Sequence, residues 1–327
     1  MPSSVLCQEE RVSAGQPLSR EPDQGMSPLV PASFSALVIG RDPAPYISGD
    51  AWLSRLPALV QESLARWEVT PDGNPMHGTT ALVVPVRRGD GSAAVLKVTW
   101  PHLEARHEHL ALQHWSGHGA VRLLAADPAS WTMLLERLDD GRDLNTAPID
   151  EACAVIGRLL KQLDQAAPPQ LARLSDQAAD LAAKLGSTPP AMPRRFVEQA
   201  RALLGELVRD EAVDSRMVNT DLHYANILAA RRQPWLAIDP KPLAADPAFA
   251  VSPALWNRWE EAIAGGDLRA HLRRRLSIIC ASAGLDEERA RAWSIVREVQ
   301  RGLWATGNTG PGELSRSIAI IKALQPG

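Results

Sequence analysis

The spacing of apolar residues along the chain predicts one helix followed by a small sheet. From Asp50 onward, leucine, valine and tryptophan recur every three or four positions, as they do on the buried face of an α-helix. Apolar, strand-like runs that account for four strands follow at 79–86, 93–99, 120–126 and 131–138, separated by turn-forming segments. With a helix inserted among the strands, we predict a five-stranded antiparallel sheet for this part of the chain.

Downstream of this sheet the apolar period is mostly that of helices. Helices are predicted over 149–166, 170–185, 194–208, 252–264, 267–282, 287–305 and 313–324. The exception is the segment 217–246, in which short strands at 227–228 and 235–238 form a predicted hairpin. A small sheet followed by a larger, mostly helical remainder is an α+β architecture with two lobes. We predict an N-lobe at 46–138 and a C-lobe at 139–327.

The first 45 residues lack this periodicity and are rich in Ser, Pro, Gly and charge. Such a composition cannot bury enough apolar surface to fold alone, so we predict a disordered or loosely packed extension at 1–45. The segment also lacks a charged region followed by an apolar one, and we expect no secretion signal. No stretch approaches the roughly 18 apolar residues of a membrane span.

Charge and cysteine content narrow the class of protein. The formal net charge of -3 gives no general attraction to nucleic acid or anionic lipid. The three cysteines, Cys7, Cys153 and Cys280, are far apart and odd in number, which predicts neither a disulfide framework nor a metal cluster. This predicts a cytoplasmic protein without nucleic-acid or membrane partners, and we also expect a monomer or weak dimer.

The predicted hairpin spaces three oxygen-bearing side chains. Asp221 and Asn226 precede its first strand, and Asp239 follows its second. Phosphoryl transfer from ATP needs a hydroxyl in line with the γ-phosphate and divalent metal to neutralise charge. A carboxylate that accepts a hydrogen bond from the hydroxyl suits Asp221, and Mg²⁺ prefers oxygens such as those of Asp239 and Asn226. The Asp-x-x-x-x-Asn spacing matches the protein-kinase catalytic loop, although an ordinary turn is the alternative interpretation.

A lysine stands within the otherwise apolar strand at 93–99. The helix that follows places Glu108 on an apolar face, where a carboxylate is costly without a partner, and Lys97 is the nearest candidate. Such a pair would aim the ammonium at the α- and β-phosphates. Glu104, one turn earlier, is the alternative partner. A lysine that simply reaches water from an edge strand is the alternative role.

Two further segments are candidates for nucleotide binding. The Gly-containing loop at 72–80 could fold over phosphates, which makes Thr79 and Thr80 candidate contacts. It contains neither G-x-G-x-x-G nor a Walker motif, so an ordinary hairpin loop is the alternative. The connection between the predicted lobes includes Glu136 and Leu138, whose backbone could bond an adenine.

Five segments of the chain resemble the aminoglycoside phosphotransferase family, and within it the branch of streptomycin 6-phosphotransferase and hydroxyurea phosphotransferase. They are VLKVTWPHLEARHEHLALQHW, GAVRLLAAD, LLERL, DLHYANIL and WLAIDPKPLAADPAFAVSPALWNRW, and the last two are the most specific. The resemblance covers residues 67–304. It implies a protein-kinase-like fold, ATP and Mg²⁺ as cofactors, and a hydroxyl of an aminoglycoside such as streptomycin as the acceptor.

The same resemblance implies a role for each candidate residue. Lys97 matches the nucleotide-binding lysine and Glu108 its partner, both counted with the catalytic residues. Asp221 matches the catalytic base. Asn226 matches a residue of the catalytic loop that is also a metal ligand, and Asp239 matches the second metal ligand.

The chain departs from the family pattern at Asn219 and Ala245, and it has His223 at a position where protein kinases differ. The family usually has histidine two residues before the base, where this chain has Asn219, and an amide can still donate and accept the hydrogen bonds that support a loop. His223 stands where protein kinases often have a lysine that meets the γ-phosphate, so it either donates to phosphate or packs locally. Asp246 keeps the carboxylate of a Gly-Asp-Pro motif, and we expect it to brace the loop.

The acceptor site has to be sought in the helical lobe. Aminoglycosides are polycations, so their site should carry carboxylates. Glu260, Glu261 and Asp267 lie close in sequence to Trp256 and Trp259. Trp256 and Glu260 are therefore candidate substrate contacts, in addition to Asp221. The alternative is that these charges form a solvated helix face and that the tryptophans belong to the core.

Three functional hypotheses remain open from the sequence. The first is an antibiotic-resistance kinase of a streptomycin-like aminoglycoside. The second is a kinase of hydroxyurea or another small metabolite. The third is a nucleotide-binding pseudokinase that acts through protein contacts, which the substitution at Asn219 favours. A protein kinase is disfavoured because the D-F-G and A-P-E signatures are missing.

Overall fold

Two helices begin the part of the chain that the computed structural model describes, which comprises residues 29–42, 46–187, 192–308 and 311–325. Helix α1 (Ala32–Val38) buries Phe34 and Val38 completely. Helix α2 (Gly49–Arg66) is capped by Ser48, whose side chain accepts a hydrogen bond from the amide of Ala51, and its apolar stripe faces the core. Phe34 packs edge-on against Trp52 of α2, with ring centroids 5.8 Å apart.

The expectation of a loosely packed extension is therefore wrong for α1, which belongs to the core of the first unit. A seven-residue helix carries too short a period to be recognised in a segment rich in Ser and Pro. Residues 1–28 and 43–45 of the predicted extension lie outside the described residues.

The chain divides into two units, Met1–Gly141 and Arg142–Gly327. The sheet of the first unit has six strands among the described residues, not five, in the order β1-β3-β4-β6-β5 with β2 beside β3. The strands are β1 (Val69–Pro71), β2 (Met76–His77), β3 (Ala81–Arg88), β4 (Ala93–Thr99), β5 (Leu123–Asp127) and β6 (Thr132–Glu136). All pairs in this sheet are antiparallel. Strands β1 and β2 are too short to show an alternating pattern.

Alternate side chains of β4 point to opposite faces of the sheet, so the core residues of this strand and Lys97 lie on different faces. Leu96 and Val98 are fully buried in the same cluster as the apolar stripe of α2. Because successive strand residues point to opposite faces, Lys97 faces away from that cluster. Helix α3 (Glu108–Trp115) follows β4 after a short 3-10 turn (Leu103–Ala105).

The second unit is mostly helical, as predicted. Its helices are α4 (Ile149–Leu163), α5 (Leu174–Ser187), α6 (Arg194–Leu207), α7 (Pro253–Trp256), α8 (Trp259–Ala264), α9 (Leu268–Ala283), α10 (Glu287–Asn308) and α11 (Pro311–Leu324). The helix predicted over 252–264 is two short helices, because Arg258 adopts a left-handed backbone conformation between them.

Short strands position the predicted hairpin within this unit. They are β7 (Asp139–Asp143), which crosses the division between units, β8 (Gln165–Ala166), β9 (Arg216–Asn219), β10 (Ile227–Ala229), β11 (Trp235–Ala237) and β12 (Pro242–Ala245). Strands β10 and β11 form the antiparallel hairpin. Strand β9 lies between β12 and β8, so the residues before Asp221 are held by a ladder that the sequence did not reveal.

None of the helices in the described ranges has both the length and the apolar character that crossing a membrane requires.

Helices α4 and α9 approach each other closely. A Cβ at Gly157 of α4 would lie 2.5 Å from the carbonyl oxygen of Ile279, so only glycine fits there. Cys153 of α4 and Cys280 of α9 are free thiols and buried. Cys7 lies outside the described residues.

The buried thiol of Cys280 should lower the free energy of unfolding as the pH becomes alkaline. Burial, together with the carboxylates of Glu287 and Asp286, raises the pKa of its thiol from 9.0 to about 12. A thiol whose pKa is higher in the folded state than in the unfolded state favours folding. This contribution to the unfolding free energy is complete below the pKa of the unfolded state and is lost as the pH rises toward the pKa of the folded state. From about pH 8 to about pH 10, the native protein should lose about 1.4 kcal/mol of unfolding free energy relative to Cys280→Ala.

Urea denaturation of both proteins at the two pH values measures this difference. The alanine variant serves as the control, since other groups that titrate in this range are common to both proteins. A parallel pH dependence of the two unfolding free energies would contradict the prediction.

Candidate active site

The hairpin of β10 and β11 brings Asn226 and Asp239 to one end of the same ladder. Ile227 pairs with Ala237 in register, and the amide of Ile238 donates to the carbonyl of Asn226 at 2.9 Å. Asp239 lies two residues beyond β11 and adopts a left-handed backbone conformation with φ 50°. Non-glycine residues pay for that conformation, which concentrates at functional sites.

Asn226 also fixes the loop that carries Asp221. Its Nδ2 donates to the carbonyl oxygen of Asp221 at 3.1 Å and lies 3.4 Å from Oδ2 of the same residue. Because Nδ2 faces Asp221, the remaining acceptor of the amide is Oδ1. The Asp221 side chain is 23% exposed. The loop therefore presents one accessible carboxylate and one amide oxygen.

Asn219, the departure from the family pattern, supports the loop from below. Its Oδ1 accepts hydrogen bonds from the backbone amides of Asp221 and Lys241, both at 3.1 Å. The residue is 1% exposed. Within the described residues its Nδ2 has no hydrogen-bond partner. One carboxamide oxygen thus joins β9 to the segment that follows Asp239.

Two basic side chains flank the Asp221 carboxylate. Nε2 of His223 lies 3.8 Å from Oδ1, and Nζ of Lys241 lies 3.3 Å from Oδ2. Burial lowers the pKa of His223, against the raising effect of Asp221, and the Lys241 ammonium lowers it further. His223 is among the residues predicted from the sequence. Lys241 is not, because its approach to Asp221 depends on the pairing of β9 with β12.

Residues of α10 brace this region from a distance in sequence. Arg297 donates to the carbonyl oxygens of Thr220 at 3.1 Å and Phe249 at 3.2 Å. Asp246 accepts from Nε1 of Trp293 at 2.8 Å, from the amide of Ala248, and from Arg289. Structural donors thus occupy both Asp246 oxygens, as expected for a brace. Nothing in the linear spacing marks Arg297 for this role.

In the first unit, Lys97 and Glu108 form a buried ion pair. Nζ of Lys97 donates to Oε1 of Glu108 at 2.6 Å and to Oε2 at 2.8 Å. The two residues are 5% and 1% exposed. Glu108, the partner that the sequence predicted for Lys97, is therefore the residue that the structure pairs with it. Glu104, the alternative, lies in the 3-10 turn before α3.

The Gly-containing loop is a hairpin turn rather than an extended flap. Met76 and His77 pair with β3, and the amide of Gly78 donates to the carbonyl of Ala81 at 3.0 Å. Thr79 and Thr80 are the two residues at the tip of this turn. The turn is thus a hairpin, and a phosphate contact at Thr79 and Thr80 stays a prediction.

At the end of β6, the side chain of Glu136 accepts from the amide of Arg122 at 2.8 Å. The Glu136 amide donates to the carbonyl of Arg122 at 3.0 Å. Leu138 is half-buried and follows β6 in the first unit.

The candidate substrate residues do not form the open acidic surface that the sequence suggested. Trp256 is 3% exposed, and the guanidinium carbons of Arg301 and Arg297 lie 4.6 and 5.0 Å from its ring centroid. The expectation that Trp256 offers surface to a substrate is therefore wrong. The helical pattern of the sequence could not show that two arginines cover its ring. Glu260 is exposed, whereas Glu261 pairs with Arg258.

The side-chain oxygens of Asn226 and Asp239 are of the chemical type that Mg²⁺ prefers as ligands. One carboxylate, on Asp239, and one amide oxygen, on Asn226, are the hard ligands that Mg²⁺ takes when phosphates and water complete its shell. Across the described ranges, no group of three or more His, Cys, Asp or Glu side chains is placed to hold a metal ion.

Curated relatives of similar sequence are kinases of small molecules. The chain is 43% identical over 283 residues to streptomycin 6-kinase of Streptomyces glaucescens, an alignment that covers 85% of this chain and 92% of the relative. It is 39% identical over 285 residues to hydroxyurea phosphotransferase of Kitasatospora aureofaciens, covering 85% and 81%.

Solved structures share the fold at low sequence identity. A thermostable mutant of an aminoglycoside phosphotransferase, in ternary complex with ADP and hygromycin B, matches with a TM-score of 0.53 at 14% identity, over 80% of this chain and 97% of that one. Choline kinase from Streptococcus pneumoniae matches with a TM-score of 0.55 at 13% identity, over 83% and 99%. The predicted protein-kinase-like α+β fold is confirmed.

Residues 66–309 match the family described as aminoglycoside/hydroxyurea antibiotic resistance kinase. This match spans both units and includes each of the candidate catalytic residues. The resemblance inferred from the sequence motifs is confirmed, and the chain belongs to the aminoglycoside/hydroxyurea antibiotic resistance kinase family.

Proposed function

We propose that this kinase phosphorylates a hydroxyl group of streptomycin or a closely similar aminoglycoside, with ATP as donor and Mg²⁺ as metal. The observation that carries the proposal is the 43% identity to a streptomycin 6-kinase over 92% of that protein's length. Family membership and the intact set of hairpin residues favour an active enzyme over a pseudokinase. Asn219 does not weaken the case for an active enzyme, because its side-chain carboxamide holds the loop by two hydrogen bonds.

Asp221 would act on the acceptor. Its partly exposed carboxylate accepts a hydrogen bond from the hydroxyl, orients the oxygen toward the γ-phosphorus, and takes up the proton as the new bond forms. Asn226 keeps the carboxylate in place through the 3.1 Å bond to the Asp221 backbone. Positioning is a large part of the barrier reduction in such reactions, so a fixed loop matters as much as the base itself.

Lys97 would bind the nucleotide. An ammonium held at 2.6 and 2.8 Å by the Glu108 carboxylate is fixed in direction and can offset charge on the α- and β-phosphates. Backbone groups at Thr79 and Thr80 contact phosphate oxygens, and those from Glu136 to Leu138 bond the adenine. His223 adds a hydrogen-bond donor for phosphate.

Asn226 and Asp239 would hold Mg²⁺ through Oδ1 and a carboxylate oxygen. The bound ion supplies charge neutralisation for the triphosphate and its leaving group. The left-handed conformation at Asp239 sets the direction of this carboxylate as the chain leaves β11.

Incubation of the protein with ATP, MgCl₂ and streptomycin should yield streptomycin O-phosphate and stoichiometric ADP. Mass spectrometry detects the phosphate and NMR locates the modified hydroxyl. We expect kcat/KM for streptomycin to exceed that for hydroxyurea by roughly 10⁴-fold, since a site built to hydrogen-bond its substrate discriminates at about that level against a molecule that lacks those groups. Absence of phosphorylated streptomycin at millimolar substrate would refute this substrate assignment.

Hydroxyurea is the second candidate acceptor. The chain is 39% identical to a hydroxyurea phosphotransferase, close to its identity with the streptomycin kinase. Exposed Glu260 remains a proposed contact for a cationic acceptor. Glu260→Gln should raise KM for streptomycin and leave KM for neutral hydroxyurea unchanged.

A further inference from the structure

The backbone of Lys241 is tied to the catalytic loop at three points. Its amide donates to Oδ1 of Asn219 at 3.1 Å, and its carbonyl accepts from the amide and from Oγ1 of Thr220, both at 3.0 Å. Pro242, the next residue, pairs with Asn219 in the ladder of β9 and β12. Lys241 is therefore held beside the residue that immediately precedes Asp221.

The Lys241 ammonium lies next to the candidate base on an accessible side. Nζ is 3.3 Å from Oδ2 of Asp221, and the two side chains are 20% and 23% exposed. The Lys97 and Glu108 side chains, in contrast, are only 6% and 2% exposed. A partly exposed pair adds little to stability. A ligand that reaches Asp221 would also reach this ammonium.

His223, on the other side of the carboxylate, supplies no comparable charge. Its Nε2 is 3.8 Å from Oδ1 of Asp221. Burial lowers the pKa of this histidine despite the Asp221 carboxylate, which disfavours the charged form of the imidazole. The positive charge beside the base comes from Lys241.

We propose that Lys241 is a further catalytic residue, which donates an ammonium N–H to a non-bridging oxygen of the phosphoryl group during its transfer. The inference rests on the proposed function of Asp221. In the step, the acceptor oxygen bonds to the γ-phosphorus, the bond from phosphorus to the bridging oxygen breaks, and that electron pair leaves with ADP. The hydroxyl proton passes to Asp221, and Lys241 keeps its three protons.

The contribution of Lys241 is selective for the transition state. Before transfer, its charge is partly satisfied by the Asp221 carboxylate. As Asp221 gains the proton it loses its negative charge, and the phosphoryl oxygens become the stronger partner for the ammonium. An interaction that strengthens along the reaction raises kcat rather than substrate affinity.

Lys241→Met and Lys241→Arg test the proposal, with Lys322→Met on the exposed side of α11 as the matched control. Lys241→Met should lower kcat by roughly 10²–10³-fold with KM values little changed, and Lys241→Arg should recover part of the rate. In calorimetry, Lys241→Met should bind MgADP normally and should lose roughly 100-fold affinity for MgADP with aluminium fluoride, a mimic of the transferring phosphoryl group.

Equal weakening of MgADP and MgADP–aluminium fluoride, or an unchanged kcat, would assign Lys241 a structural role only and overturn the proposal. The binding experiment needs no acceptor. If the wild-type protein fails to phosphorylate streptomycin, the substrate assignment falls, while the comparison of the two nucleotide complexes still decides the role of Lys241.

Discussion

Asp221→Asn should reduce kcat by about 10²–10⁴-fold while MgATP binding stays close to that of the wild-type protein. Asparagine preserves the size of the side chain, so the 3.1 Å bond from Asn226 to the backbone of residue 221 is kept. What is lost is the ability to take up the proton of the acceptor hydroxyl. The loss therefore appears in the chemical step and not in nucleotide affinity.

Single-turnover phosphorylation and calorimetric titration with MgATP separate these two quantities. Asp164→Asn is the matched control, because Asp164 forms a surface ion pair with Arg216 on β9 and is not placed at the hairpin. A variant at Asp221 that keeps wild-type turnover would remove the general base from the mechanism. A variant that loses MgATP binding in parallel would instead show that Asp221 acts through the nucleotide.

The buried pair of Lys97 and Glu108 should dominate the stability of the first unit. Glu108→Ala removes the carboxylate that accepts from the buried Lys97 ammonium at 2.6 and 2.8 Å, which should cost about 3–5 kcal/mol. The double variant Lys97→Met/Glu108→Leu removes both charges and should recover most of that loss. It should nevertheless remain inactive, because no ammonium is left to meet the nucleotide.

Urea denaturation of Lys97→Met, Glu108→Leu and the double variant gives the coupling energy between the two side chains. Glu104→Ala, in the 3-10 turn one turn before Glu108, is the control and should change stability by less than about 1 kcal/mol. If Glu104→Ala were as destabilising as Glu108→Ala, Glu104 would share the role of partner. If the double variant were active, the nucleotide role of Lys97 would be refuted.

The features predicted from the sequence are those with a long period or a fixed spacing. Helix α2, strand β4 and the hairpin of β10 and β11 each carry an apolar pattern long enough to be read locally. The pairing of Lys97 with Glu108 followed from the cost of burying a lone carboxylate. These predictions needed no knowledge of which distant segments meet.

The features missed depend on contacts between distant segments. Helix α1 is short and is held by contacts with distant segments, such as those of Phe34 with Trp52 and His77. Trp256 looked available because the guanidinium of Arg301, far along the chain, could not be known to cover it. Lys241 reaches Asp221 only because β12 returns beside β9. No local pattern encodes such juxtapositions.

The carboxamide of Asn219 has a consequence for how the enzyme responds to acidification. Imidazole gains a proton within the physiological range and would then repel an adjoining amide donor. A carboxamide has no ionisable proton at these pH values. The two bonds from Oδ1 to the amides of Asp221 and Lys241 therefore do not depend on any proton that the Asn219 side chain could gain in an acidic medium.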